Sequence, residues 1–212
     1  HLRYPEDQFK VQRELLTRYH VGNPGEFYGG VSFWDVPTDP TVQSGAAGAA
    51  QPPYYVLAGV PGVADAGQPT FQLTSALVFK NRDILSSYVS ASSDPASYGK
   101  ITVLQLPSDT QTLGPQQVQS QFISSPTVSS NISLLSRGQT AVDYGNLLTL
   151  PVAGGLLYVE PIYIERTGQA SSYPQLAKVL VYYGNRIGYA PTLKQALDQV
   201  FGAGAGNGTA GA

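Results

Sequence analysis

The 212-residue chain sets 12 Lys and Arg against 14 Asp and Glu, for a formal charge of -2, and only 12% of it is charged, half the usual share of about 25%. No basic cluster interrupts this balance, which excludes nucleic acid or an anionic lipid surface as the main partner, since such binding draws on grouped cations. Cysteine and methionine are absent, which removes disulfides, thiolate chemistry and Cys-held metals; the missing Met leads us to expect a piece of a longer polypeptide whose targeting signal lies elsewhere.

YPEDQFKVQRELLTRYHV reads as a helix, with Pro5 at its first turn and Glu6 and Asp7 at the positive end of its dipole. Phe9 with Leu16, and Val11 with Leu15 and Tyr19, give it an apolar stripe. An aromatic, Pro-rich loop then follows in NPGEFYGGVSFWDVPTDP, and SGAAGAAQPP has the composition of a linker. The segments YYVLAGV, TFQLTSALVF, ILSSYVSAS and KITVLQL are short, β-branched or aromatic, and bounded by turn residues, so each is predicted as a strand. Pro115 opens a helix with Val118 and Phe122 one turn apart, Pro126 ends it, and a further helical turn or two is expected around Val128, Ile132 and Leu135.

The longest apolar run, GNLLTLPVAGGLLYVEPIYIE at 145–165, has the length of a membrane span but holds Pro151, Gly154, Gly155, Glu160 and Pro161. A spanning helix does not readily tolerate so many breakers. The run is predicted instead as a buried hairpin, with strands 146–153 and 156–165 around Gly154 and Gly155. KVLVYY and RIGYA form a second pair about Gly184 and Asn185, and TLKQALDQVFG a helix capped by Thr192 and Gly202. We therefore expect an α+β fold with a mostly antiparallel sheet and a few flanking helices, a single domain over 1–202, and a flexible Gly/Ala-rich tail over 203–212.

No catalytic constellation or cofactor motif emerges, and a non-catalytic role is expected, with no cofactor and no metal. His1 and His20 are too few for a His-rich metal site, and His20 suits a helix C-terminus. Glu160, flanked by apolar strand residues, is expected to be buried and paired, with Arg186 or Lys178 as partner; Tyr158 shares its strand face. Asp35, Asp39 and Glu26 match no calcium-loop spacing, and Trp34 offers a ring for stacking on a sugar. Glu160, Trp34, Asp35 and Tyr158 are accordingly the candidate binding residues. A formal glycosylation sequon stands at Asn131 and another at Asn207.

The pieces HLRYPEDQFKVQRELLTRYHV, FWDVPTDPT, QPPYYVL, SDPASYGKITVLQLPSDTQTLGPQQVQS, YGNLLTLPV with LLYVEPIYIER, and YGNRIGYAPTLKQALDQVFG together resemble an uncharacterised family of large bacterial multi-pass membrane proteins. The resemblance runs through nearly the whole chain and implies an extracytoplasmic region at the cell membrane, itself not spanning it. The role expected is packing against the rest of the same membrane polypeptide, or assembly as a homo-oligomer or with a cell-envelope protein. Two alternatives stand beside it: an envelope enzyme or binding module acting on glycans or lipids through Glu160, Glu165 or Asp35 with Trp34 as platform, and an accessory part of a membrane transport assembly.

Overall fold

The computed structural model describes residues 3–42, 48–61, 69–107, 109, 111–152, 154–168 and 172–207. They are α+β, with every strand pairing antiparallel. The chain divides into two compact units, His1–Gln117 and Val118–Ala212, where the sequence reading treats 1–202 as one domain.

The first unit begins with α1 (Glu6–Tyr19) and the short α2 (Pro24–Gly29). Asn23 caps α2 by accepting from the Gly25 and Glu26 amides, and Gly30 ends it in the left-handed region at φ 63°. Its sheet contains β1 (Trp34–Asp35), β2 (Tyr54–Ala58), β3 (Thr70–Phe79), β4 (Leu85–Ser92) and β5 (Ile101–Gln105). β3 lies beside β4, and β4 beside β5. The other edge of β3 is shared: β2 pairs along 70–74 and β1 along 78–79. Leu73, Leu77, Val89 and Ala91 point to one side of this sheet and pack with Phe9, Tyr4 and Trp34.

The second unit repeats this wiring. After α3 (Pro115–Ser124), whose first turn belongs to the first unit's span, and α4 (Pro126–Leu135), come β6 (Thr140–Tyr144), β7 (Leu148–Val152), β8 (Gly155–Arg166), β9 (Gln175–Tyr183) and β10 (Arg186–Ala190). β8 lies beside β9, and β9 beside β10, while β7 pairs with 155–159 and β6 with 162–166 on the other edge of β8. Both long strands also slip register in the same place. The shift falls between Leu77 and Val78 in β3, and between Ile162 and Tyr163 in β8. α5 (Leu193–Phe201), with Thr192 accepting from the Gln195 amide, packs Ala196 and Val200 on Leu157, Val179, Val181 and Ala190.

The split edge explains a proline inside a central strand. Pro161 has no N–H for a ladder, yet it sits where β7 has ended and β6 has not begun, so no edge strand requires one. The Gly145 amide bridges the gap by donating to the Pro161 carbonyl at 2.8 Å. In β3 the corresponding gap lies opposite Ser75, Ala76 and Leu77. There Arg13, 3% exposed, donates to the Gln51 carbonyl at 2.9 Å and to Ser75 Oγ at 3.0 Å.

Residues 145–165 form the expected hairpin, and among the described residues no helix is long and apolar enough to cross a membrane. Elsewhere the structure adds to the sequence reading. The aromatic loop contains α2 and β1, β6 is a strand that the sequence reading leaves out although Thr140, Val142 and Tyr144 favour one, and Pro126 ends one helix and begins another full one. Within the tail, residues 203–207 turn back on α5, the Gly206 amide donating to Asp198 Oδ1 at 2.8 Å; residues 208–212 lie outside those described.

Candidate functional site

Trp34 and Asp35 belong to the first unit and Tyr158 and Glu160 to the second, so the candidates form two separate groups. In the first unit, β1 delivers Trp34 into the core at 2% exposure. One face of its indole is taken by His20, stacked at 3.4 Å with an interplanar angle of 12°. The expected platform for a sugar is thus already covered. His20 closes α1: its Nδ1 lies 2.6 Å from the Leu16 carbonyl oxygen and its Nε2 3.0 Å from that of Ser32.

Asp35 is a positioning group. Its Oδ2 accepts from the Asn81 amide at 3.2 Å, and its Oδ1 lies 3.6 Å from Arg18. The turn from β3 to β4 is fixed further by Lys80 N donating to the Phe33 carbonyl and Arg82 N to that of Phe79, and Asn81 takes the left-handed conformation at φ 60°. Asp39 binds the amide and hydroxyl of Thr41, and Glu26 accepts from Ser32. The loop carboxylates therefore serve separate turns. Among the described residues no His, Asp and Glu gather as a metal site.

Between this turn and the end of α1 opens a cleft of about 1030 Å³. His20, Glu26, Ser32, Lys80, Asn81 and Arg82 are among its walls, with Trp34 at its margin. Sequence inspection passes over it, because Lys80 and Arg82 read only as polar turn residues. Phe33 props up its cationic side, with Lys80 Nζ 5.4 Å and the Arg18 guanidinium 4.9 Å from the ring centre.

In the second unit Glu160 is fully buried and shares its sheet face with Tyr158, as expected. Antiparallel register places Leu180 beside Glu160, Tyr182 beside Tyr158, and Tyr189 beyond Leu180. The expected salt-bridge partners are occupied elsewhere: Arg186 donates to the Val200 carbonyl, and Lys178 lies over the Tyr189 ring. Burial raises the Tyr144 phenol, and the negative charge of Glu160 raises it further. Desolvation likewise pushes Tyr158 up, with nearby Tyr182 adding to it, and takes Tyr189 to about 12. Tyr189 donates to Asn131 at 2.7 Å, so the first sequon's side chain is committed to packing. This is a neutral phenolic layer around one carboxyl.

Three relatives are similar over essentially all of this chain. A protein of the same family in Saccharopolyspora erythraea is 60% identical over 215 residues, covering 100% of this chain and 22% of that protein. A Rhodococcus jostii relative is 56% identical, covering 98% of this chain and 21% of its own, and one from Mycobacterium tuberculosis H37Rv is 54% identical, with 97% and 22% covered. The chain thus spans about a fifth of the length of these relatives. No solved structure matches it. Residues 1–135 match the uncharacterised protein family UPF0182, and with its relatives this places the chain in that family as a segment of a larger protein.

Proposed function

We propose that this segment is a non-catalytic extracytoplasmic part of a multi-pass membrane protein, and that it packs against another segment of its own polypeptide. The observation that carries the reading is the outer face of α1. Val11, Leu15 and Tyr19 recur at four-residue spacing and are 61%, 51% and 71% exposed, while Phe9, Arg13 and Thr17 take the inner face. A soluble helix normally turns such a stripe inward. Tyr19 stacks on Phe27, which meets Tyr28 edge-on, and Tyr28 is itself exposed, so the apolar surface continues from α1 onto α2. Since nearly four-fifths of the length of the relatives lies outside the matched segment, the same polypeptide has ample chain to cover it. The membrane setting is supported by the resemblance to multi-pass proteins and by the low charge of the chain.

The absence of cysteine from these 212 residues provides the test, in a full-length background freed of any other cysteine. A Cys at Leu15 should react quickly with a polar maleimide in the isolated segment and slowly in the full-length protein. Equal rates would sink the packing assignment. A Cys at exposed Ser130 should be labelled on intact cells by an impermeant reagent; labelling only after permeabilisation would place the segment on the cytoplasmic side.

A further inference from the structure

We infer that the cleft of the first unit binds a small organic phosphate with a hydroxyl-rich body, Lys80 and Arg82 holding the phosphate. The inference is independent of the packing role, since α1 turns its outer stripe elsewhere: the shallow groove along that stripe is lined by Lys10, Val11, Glu14, Leu15, Arg18 and Tyr19, none of which lines the cleft.

The first support is charge. In a chain of net charge -2, the described cleft walls carry Lys80 and Arg82 against Glu26 as the lone carboxylate. Glu26 is engaged by Ser32. Asp83, next in the turn, does not line the cleft. Among the described residues no hydrogen bond or ion pair engages the Arg82 guanidinium, leaving its planar donor fork for a tetrahedral oxyanion. Lys80 Nζ lies 5.4 Å from the centre of the Phe33 ring, and an ammonium with three donors keeps N–H groups to spare beyond that one contact.

The second support is preorganisation. The turn carrying both cations is held by the Phe33 carbonyl, by Asp35 through the Asn81 amide, and by the Phe79 carbonyl. The opposite wall is held by His20 between two carbonyls and the indole. Little ordering of backbone therefore remains for binding to supply. The third is size and lining. A volume of about 1030 Å³ exceeds what a bare phosphate fills. Beyond the cations the walls include Asn81, Gln105, Gln111 and Ser32, side chains that pair with hydroxyls. One cleft with two cations recognises a single phosphate group, whereas adsorption to an anionic bilayer draws on a cluster of basic residues that this chain lacks.

Trp34 is the sole tryptophan and borders the cleft, so its emission reports occupancy directly. Titrating the 212-residue chain with glycerol 3-phosphate should give a saturable change in Trp34 fluorescence that weakens with salt. Glycerol should give none, and inorganic phosphate a weaker response. The Lys80→Gln/Arg82→Gln double variant should nearly keep the melting temperature, because Arg82 is exposed and Lys80 gives up only its contact with the half-buried Phe33 ring, and lose at least about tenfold in affinity. Three results would overturn the assignment: no saturable response in fluorescence or in amide NMR shifts, unchanged affinity in the double variant, or an equal response to glycerol. Cosedimentation with phosphatidylglycerol vesicles but not phosphatidylcholine vesicles, without a response to free glycerol 3-phosphate, would overturn the soluble ligand in favour of a lipid headgroup.

Discussion

Gly188→Ala tests the packing of α5 on the second sheet. Gly188 lies in β10 opposite Val181, and an added Cβ would stand 2.1 Å from the Ala196 carbonyl oxygen, 2.9 Å from its carbon and 3.0 Å from Val200 Cγ2. Ordinary contact begins at 3.4 Å, so the helix backbone must retreat by more than 1 Å or the strand must bend. The two nearest of these three atoms are helix backbone, which cannot swing away as a side-chain end can. Overpacking of this kind costs about 1–3 kcal/mol, enough to reverse the gain of about 0.4–1 kcal/mol that Gly→Ala gives where space allows. For a domain of this size each kcal/mol moves the melting temperature by roughly 2–4 °C. We expect a fall of about 2–12 °C on that scaling, with faster hydrogen exchange across α5 and β10. Gly22→Ala is the control, since nothing lies within 4 Å of its added Cβ. A Gly188→Ala variant as stable as the parent would refute the close approach of helix and strand.

Replacing Arg13 by Ala removes two charge-assisted bonds worth about 1.5–3 kcal/mol each before offsets; we expect a loss of about 2–4 kcal/mol in urea unfolding. Arg13→Met should recover at least half of it, because the Met fills the space without burying a cation, and equal losses in the two variants would exclude that account. Truncation after Gly202 removes the Gly206 bond to Asp198 and should cost about 0.5–1.5 kcal/mol, read as a lower melting temperature; an unchanged value would mean residues 203–207 only trail from α5. Glu160→Gln should lower the pKa of the Tyr144 phenol, followed by NMR titration, because the carboxylate charge helps to raise it; an unmoved phenol would leave burial as the whole cause. The Tyr189 phenol, raised by burial to about 12, keeps its stabilising contribution below the unfolded value of about 10 and loses it as pH rises through about 12. Tyr189→Phe should therefore flatten the alkaline decline of stability in that window, and an unchanged slope would contradict the raised value.

Much of the secondary structure is legible because local chemistry and tertiary need agree. Thr192 and Gly202 bracket α5, the paired turn residues Gly184 and Asn185 both take positive φ, and the breakers at 151–161 rule out a spanning helix before any coordinates are known. The candidate site was less legible. Glu160 and Tyr158 follow from strand alternation, yet alternation along one strand is silent about what lies on the next, so the Tyr182 and Tyr189 neighbours came only with the register. For Trp34 the sequence leaves sugar stacking and the plugging of a core edge both open, and the structure buries it in the core with His20 stacked on its indole.

The sequence by itself determined the element types, the antiparallel preference and the exclusion of Cys chemistry, since each depends on residue identity over a few neighbouring positions. Only the tertiary structure decided which stripe of α1 faces inward. Phe9 with Leu16, and Val11 with Leu15 and Tyr19, are both plausible seams by periodicity, and the choice falls to Phe9 because Arg13 on its side finds Ser75 and Gln51 in the gap along β3. The shared wiring of the units was equally hidden. Thr140, Val142 and Tyr144 favour a strand, yet only the pairing with 162–166 gives β6 its place, and the register shifts at Leu77 and Ile162, each against the next strand of the chain, show only in the ladder.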